Sequence, residues 1–257
     1  MEFMDKDYKK MNDQELLDEI KEWAKTQDIV TMSGIVKKFS ISYPKASRMF
    51  EALVEEEIIV LDKGFYHPKG KKLILKLPLK IYLLDVNINI INEWKKVFKD
   101  YPEVEVVYDE FKHFLDTRDV ECIVSPGNSF GIMDGGYDYA IKEYFGEELE
   151  DALKKEIEYR YYAEEPVASS LIIDIPNTNK KLIHTPTMKT PSVIKDTFVI
   201  YQCMRTTLIK ALESRVESIV IPAFGGATGA VEPKIIAIKM LEGFKQIRNH
   251  YLKSHEL

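Results

Sequence analysis

Glu121-Cys122-Ile123-Val124-Ser125-Pro126-Gly127-Asn128-Ser129-Phe130-Gly131-Ile132-Met133-Asp134-Gly135-Gly136-Tyr137-Asp138-Tyr139-Ala140-Ile141 is the stretch on which the fold turns. It opens as a short, unbroken apolar run, the pattern of a strand covered on both faces. A glycine-rich loop over residues 125–138 follows, and helical spacing resumes over 139–144. The same succession recurs downstream. Ser218-Ile219-Val220-Ile221 runs into Pro222-Ala223-Phe224-Gly225-Gly226-Ala227-Thr228-Gly229-Ala230, and a last helix starts near Pro233 and runs to about His250.

The sequence around these two units has the same rhythm. Strands are expected at 80–86, 104–108, 171–175 and 182–184. Helices are expected from Asn89 through Val97 and Phe98, over 147–161 and over 194–213. Alternation of this kind predicts an α/β fold, a three-layer α/β/α sandwich around a largely parallel sheet. Both glycine loops then sit at the carboxyl edge of that sheet, where open α/β folds bind ligands. Seven of the 12 glycines lie in the two loops: Gly127, Gly131, Gly135, Gly136, Gly225, Gly226 and Gly229. Glycines let backbone N–H groups converge, and such a nest before a helix N-terminus favours phosphate. Two facing nests suggest a diphosphate held between them. Neither loop contains a lysine or arginine, so main-chain dipoles would have to hold the anion.

Several other chemistries are disfavoured. There is no Gly-Lys-Ser/Thr phosphate loop and no clean dinucleotide fingerprint at the first strand, which argues against a kinase or dehydrogenase. Ser125 and Ser129 have no paired histidine, which argues against a serine hydrolase. The five histidines show no ligand spacing, so no catalytic metal is expected, and nothing requires a cofactor. His184 falls within a strand and reads as structural. Tyr159, Tyr161 and Tyr162 read as core or interface. Cys122 and Cys203 sit in apolar periodic sequence and read as reduced core thiols. No signal-peptide pattern opens the chain and no apolar run is long enough to span a bilayer, so a cytoplasmic protein without membrane contact is expected.

The first 72 residues have a different character. Asn12 or Asp13 can cap a helix whose apolar face is Leu16, Leu17, Ile20 and Trp23. A short helix follows from Thr31, and a third, with Pro44 in its first turn, turns Ala46, Met49, Phe50, Leu53 and Val54 inward. Ile58–Leu61, the turn Asp62-Lys63-Gly64 and Phe65-Tyr66 read as a β-hairpin. This order, with Ile41-Ser42-Tyr43-Pro44-Lys45-Ala46-Ser47-Arg48-Met49, resembles the winged helix-turn-helix family, especially the small type at the C-terminal end of bacterial DNA translocases. In that family the third helix enters the major groove. Its outward set here, Lys45, Ser47 and Arg48, is thin. Residues 1–72 carry 13 basic and 14 acidic side chains, a net of −1, and DNA affinity depends largely on phosphate neutralisation. A protein contact is therefore as good a reading as a DNA contact. Lys69-Gly70-Lys71-Lys72 reads as a solvated joint, and the second domain is expected over 78–257.

The second domain also carries a resemblance. Val124-Ser125-Pro126-Gly127-Asn128-Ser129-Phe130-Gly131 with Met133-Asp134-Gly135-Gly136-Tyr137-Asp138 resembles the macro domain, an ADP-ribose-binding family. The similar subgroup has a Ser-Pro-Ala-Asn-Ser-Phe-Gly loop, and some of its members are associated with phage tails. His184-Thr185-Pro186-Thr187-Met188 and Ile219-Val220-Ile221-Pro222-Ala223-Phe224-Gly225 agree with it. The resemblance implies that Asn128 bonds the distal ribose and that Asp138 activates water or the ribose in hydrolysing members. It implies that Asp109 accepts from the adenine amino group and that Phe224 or Phe130 packs against the distal ribose. It places Gly127, Ser129, Phe130, Gly131, Gly135, Gly136 and Tyr137 in the first loop. Gly225, Gly226, Ala227, Thr228 and Gly229 fall in the second. ADP-ribose or an ADP-ribosylated substrate is the implied partner.

The residues give independent reasons for part of this. Hydrolysis at a ribose needs a carboxylate near the anomeric centre and a polar group orienting the sugar, and Asp138 and Asn128 share one loop. Asp138 also reads as the N-cap of the helix at 139–144. Ala227 departs from the usual glycine-rich core of the second loop and is expected to resist a left-handed backbone there.

Overall fold

The computed structural model describes Tyr8, residues 11–62, 65–71 and 76–254. They fall into two units that divide between Leu75 and Lys76.

In the first unit, α1 (Asp13–Thr26) starts with a capping box. Asn12 Oδ1 accepts from the Glu15 N–H at 2.9 Å, and a Glu15 carboxylate oxygen accepts from the Asn12 N–H at 3.2 Å. α2 (Met32–Phe39) is capped by Thr31 and ends at Ser40 in the left-handed region. α3 (Tyr43–Glu55) begins at Ser42, which supplies no side-chain cap. β1 (Ile59–Asp62) pairs antiparallel with β2 (Phe65–Pro68), and the expected turn residues Lys63 and Gly64 lie outside the described residues. Leu16, Ile20, Ile35, Phe39, Met49, Leu53 and Ile59 form the core. Fully burying each of these larger apolar side chains contributes about 1.5–3 kcal/mol.

Within the stretch expected as a solvated joint, Lys71 is tied back to the first unit. Lys71 Nζ donates to the carbonyls of Thr26 and Gln27 at 3.1 and 2.7 Å and pairs with Asp28. A cation thus meets the last carbonyls of α1, where the helix dipole favours it.

The second unit begins with β3 (Lys80–Asp85), followed by α4 (Ile88–Val97), β4 (Val104–Tyr108), α5 (Phe111–Thr117) and β5 (Cys122–Ser125). After the first glycine loop come α6 (Gly136–Phe145), α7 (Glu147–Tyr161), β6 (Leu171–Asp174) and β7 (Lys181–His184). α8 (Phe198–Glu213), β8 (Ser218–Ile221) and α9 (Pro233–Ser254) complete it. The strands form one sheet in the order β4-β3-β8-β5-β7-β6, parallel except for the edge pair β6 and β7.

Strand periodicity divides the core between the two faces. Ile81, Leu83, Cys122, Val124, Ile219 and Ile221 pack under α4, α8 and α9. Leu84, Ile123, Val220 and Leu182 pack under α5, α6 and α7. This is the three-layer sandwich. Both cysteines are buried, and desolvation pushes their thiols up, so they stay protonated. Tyr159 and Tyr162 are not core residues, being 82% and 93% exposed.

Three helix starts differ from the sequence expectation. α4 is capped by Asn87, whose Oδ1 accepts from the Asn89 N–H at 3.0 Å, rather than by Asn89. α8 begins at Phe198 rather than near Ile194, because the Ile194 N–H donates to the Gly229 carbonyl at 2.9 Å. α6 begins at Gly136, so Asp138 is its third residue and not its cap. Gly136 has φ +59°, and only glycine takes that conformation without strain.

Candidate functional site

At the carboxyl edge of the sheet, β3 ends at Asp85, β4 is followed by Asp109, β5 leads into the first glycine loop and β8 into the second. Two chambers open there. The outer, of about 780 Å³, is lined by Asp109, Glu110, Phe111 and Tyr144 among others. The inner, of about 130 Å³, is lined by Gly127, Asn128, Asp134, Asp138, Thr187, Thr228 and Gly229 among others. Asp85, Gly136, Tyr137 and Ala227 border both chambers, which makes them one groove.

The outer chamber offers an aromatic wall and carboxylates. Phe111 and Tyr137 meet edge to face at 5.1 Å, and Tyr144 adds a second edge to Phe111. Asp109 accepts from the Glu110 N–H at 2.8 Å and from His113 Nδ1 at 2.7 Å, and the His113 bond holds its carboxyl below the usual range. It is therefore an ionised acceptor at the mouth of an apolar slot, a suitable partner for the exocyclic amine of a planar base.

Between the chambers the two loops face each other. A Cβ built on Gly136 would lie 3.8 Å from the Ala227 Cβ. The second loop is closed by its own bonds, Ala230 N–H to the Ala227 carbonyl at 2.9 Å and Val231 N–H to the Gly225 carbonyl at 3.1 Å. Its left-handed positions are Gly225 at φ +79° and Ala230 at φ +51°. Ala227 is not among them, so its Cβ brings no backbone strain to the loop. Among the described residues, the N–H groups of Ala227, Thr228 and Gly229 donate to no acceptor, nor do those of Gly136 and Tyr137 in the first turn of α6. The two loops thus bring unbonded N–H donors and a helix N-terminus to one place, and neither loop contains a lysine or arginine.

Asp138 stands at the inner end. It is 9% exposed, and its Oδ1 accepts from Ser125 Oγ at 2.7 Å. Desolvation pushes its carboxyl up to about 6, against the Ser125 bond and the positive field of His184; Asp134 adds to the rise. Asp85 is raised by desolvation too, although the N–H groups of Asn87, Ala223 and Val86 bond it. The Tyr137 hydroxyl is buried without a partner among the described residues, and burial together with Asp85 and Asp138 pushes its phenol up.

Asn128 has a more local role than an exposed sugar ligand would have. Its Nδ2 donates to the Ile132 carbonyl at 2.8 Å, and its Oδ1 accepts from the N–H groups of Phe130 at 3.1 Å and Ile132 at 3.4 Å. The carboxamide thus shapes the loop that carries Asp134 and the two glycines.

The groove brings together Asp109, Gly127, Asn128, Gly135, Gly136, Tyr137, Asp138, Gly225, Ala227, Thr228 and Gly229. It leaves out Ser129, Phe130, Gly131, Phe224 and Gly226. Phe224 is fully buried in the core under α4, α8 and α9, so it packs the sheet and lines neither chamber. Ser129 is buried and donates its N–H to the Met188 and Lys189 carbonyls. A Cβ on Gly131 would meet Ile157 and Leu153 of α7, so that glycine is a packing position. The sequence reading missed Asp85, Phe111 and Thr187. Asp85 did carry a signal, a polar residue closing a buried strand at the ligand edge. Among the described residues no His/Cys/Asp/Glu group suited to a metal occurs, and no helix is long and apolar enough to cross a membrane.

Comparison with known proteins accords with this architecture. Residues 81–221 match the model of the Macro-like domain family, and the chain belongs to that family. An uncharacterized protein of Aquifex aeolicus is 31% identical over 130 residues, covering 50% of this chain and 74% of its own. One of Aeropyrum pernix is 29% identical over 119 residues, and the match spans only 59% of that relative. Among solved structures, the macrodomain of Mycobacterium tuberculosis DarG is 20% identical, with a TM-score of 0.44, covering 51% of this chain and 85% of its own. The Oceanobacillus iheyensis macrodomain with ADP is 21% identical, with a TM-score of 0.45, covering 51% and 70%. A mutant of that same macrodomain has been solved with ADPR.

Proposed function

We propose that this protein binds ADP-ribose along the groove and hydrolyses ADP-ribosyl adducts, with Asp138 as the base. The single observation that carries the reading is the continuity of the groove. It runs from an ionised acceptor, Asp109, past two facing sets of N–H donors, to a buried carboxyl, Asp138. An adenine, a diphosphate and a terminal ribose have that same order of chemistry. Macrodomain structures holding ADP and ADPR support the choice of ligand.

In the reaction, a water oxygen bonds to the anomeric carbon and its proton passes to Asp138. The bond to the acceptor breaks, and the acceptor leaves with the electron pair. A carboxyl at about 6 is largely ionised at neutral pH yet basic enough to take a proton. The subgroup with the Ser-Pro-Ala-Asn-Ser-Phe-Gly loop, in which Gly127 stands for the alanine, is our assignment within the family.

We assign the first unit to the winged helix-turn-helix type on its element order. Lys45 pairs with Asp13 at 2.9 Å and Ser47 bonds Glu51 at 3.1 Å, so two of the three side chains expected to read DNA are already tied to acidic neighbours. This favours a protein contact. A binding-only sensor, in which occupancy alters that contact, is the competing function. We place the protein in the cytoplasm.

Calorimetry with ADP-ribose tests the ligand, and mixing with an ADP-ribosylated protein tests the chemistry. The expected result is micromolar-range binding, and release of free ADP-ribose that Asp138→Ala abolishes while binding persists. Tight binding without release in the wild type would establish the sensor instead.

A further inference from the structure

A buried histidine lies behind the proposed base. His184, on β7, is 1% exposed, and its Nδ1 is 2.6 Å from a Glu165 carboxylate oxygen. Glu165 is fully buried, and its other oxygen accepts from Ser169 Oγ at 2.8 Å. The Glu165 N–H is itself anchored on the Ser129 carbonyl at 2.8 Å. Glu165 therefore holds the ring by its Nδ1. The opposite nitrogen, Nε2, is buried and has no hydrogen-bond partner among the described residues. A bare buried ring nitrogen of this kind is uncommon in a well-packed interior.

Gly127 places Nε2 near the base. A Cβ on that residue would lie 2.6 Å from His184 Nε2 and 3.2 Å from Asp138 Oδ2, so both atoms border one point in the cradle. Gly127 is the residue that keeps the point open, and Asp138 Oδ1 is already committed to Ser125. Oδ2 is therefore the oxygen left for the imidazole and for substrate.

We propose that His184 is a positioning residue of this site: its Nε2 is placed to donate to Asp138 across Gly127, and Glu165, bonded at Nδ1, holds the ring in that orientation. The inference rests on the reading of Asp138 as the working base. Burial and Asp134 push the Asp138 carboxyl up, and His184 opposes that rise, so the imidazole favours the form that can accept from water. The arrangement has the logic of a carboxylate that orients an imidazole, with the imidazole acting on a second acid. Of the groups packed around the pair, Asp134 acts on Asp138 from the loop, and Tyr137 of α6 lies within the field of both Asp138 and Asp85 of β3. Glu165 and Cys203 lie on the His184 side, and no other cation acts on Asp138.

The test is a carbon-13 NMR titration of the Asp138 carboxyl in the ligand-free full chain, assigned by its loss in Asp138→Asn. Wild type, His184→Gln and Glu165→Gln are compared. The proposal expects both variants to raise the midpoint by about one pH unit or more. It is overturned if neither midpoint rises. Should His184→Gln lose its dispersed spectrum, the near-isosteric Glu165→Gln decides alone. Turnover is read in parallel, and the acid limb of the pH profile should move with the midpoint. If the titration shifts as expected and no variant, wild type included, releases ADP-ribose, the hydrolase reading fails and the positioning role stands.

Discussion

Replacing Asp138 by asparagine isolates the energetic consequence of burying this carboxyl. The amide keeps the size of the side chain, and its oxygen can still accept from Ser125 Oγ. Only the ability to ionise is lost. In the folded protein the carboxyl is raised from its ordinary 3.8 to about 6, so the fold disfavours the ionised form by about 3 kcal/mol at most. The direction with pH follows. Below about 3 the group is protonated in both states and no penalty exists. As pH rises towards 6 the unfolded chain ionises first, the folded state binds the extra proton, and stability falls. Above about 7 the penalty is complete. Asp138→Asn is therefore expected to be more stable than wild type by about 1–3 kcal/mol at pH 8. The difference should shrink towards zero near pH 3. Urea unfolding of both proteins at a series of pH values, each followed by a probe in the second unit, measures it. A variant equal to or less stable than wild type at pH 8, or a difference independent of pH, would refute the reasoning. The same variant should bind ADP-ribose and not release it, the usual conflict between stability and activity at a site.

Three further substitutions separate the parts of the groove. Asn128→Ala removes the acceptor and donor that hold residues 130 and 132, and is expected to destabilise the second unit by about 1–3 kcal/mol, read as a lower unfolding midpoint, with weaker ADP-ribose binding. Gly136→Ala forces a side chain onto a left-handed position at the start of α6, and is expected to cost about 1–2 kcal/mol and to weaken ADP-ribose binding by at least about tenfold in calorimetry. Asp109→Ala removes the acceptor at the outer chamber, and is expected to reduce affinity for ADP-ribose about tenfold while leaving affinity for ribose 5-phosphate unchanged.

The layered fold was legible because its signals are local. Cys122–Ser125 and Ser218–Ile221 are unbroken apolar runs followed by glycines, and that succession needs no tertiary knowledge. The glycine loops were legible as a ligand edge for the same reason. What escaped was set by contacts far apart in sequence. Gly135-Gly136 reads as loop, yet it opens α6, because Gly136 takes a left-handed turn into the helix. The resemblance implies a ribose contact for Phe224 or Phe130, yet Phe224, three residues past β8, is fully buried in the core. Glu165 and His184 are nineteen residues apart in the chain and belong to no spacing pattern. Only the antiparallel edge strand and the segment before it place them side by side. Asn128 was found by resemblance, and its service to its own loop follows only from the positions of the Ile132 and Phe130 backbone.

The close packing of Gly127 against His184 makes these positions depend on each other. A methyl group at 127 would meet the imidazole at 2.6 Å, so alanine there requires the His184 ring to give way. A chain with alanine at 127 and histidine at 184 must therefore seat its ring further from the loop, and the two positions constrain each other through the placement of one side chain.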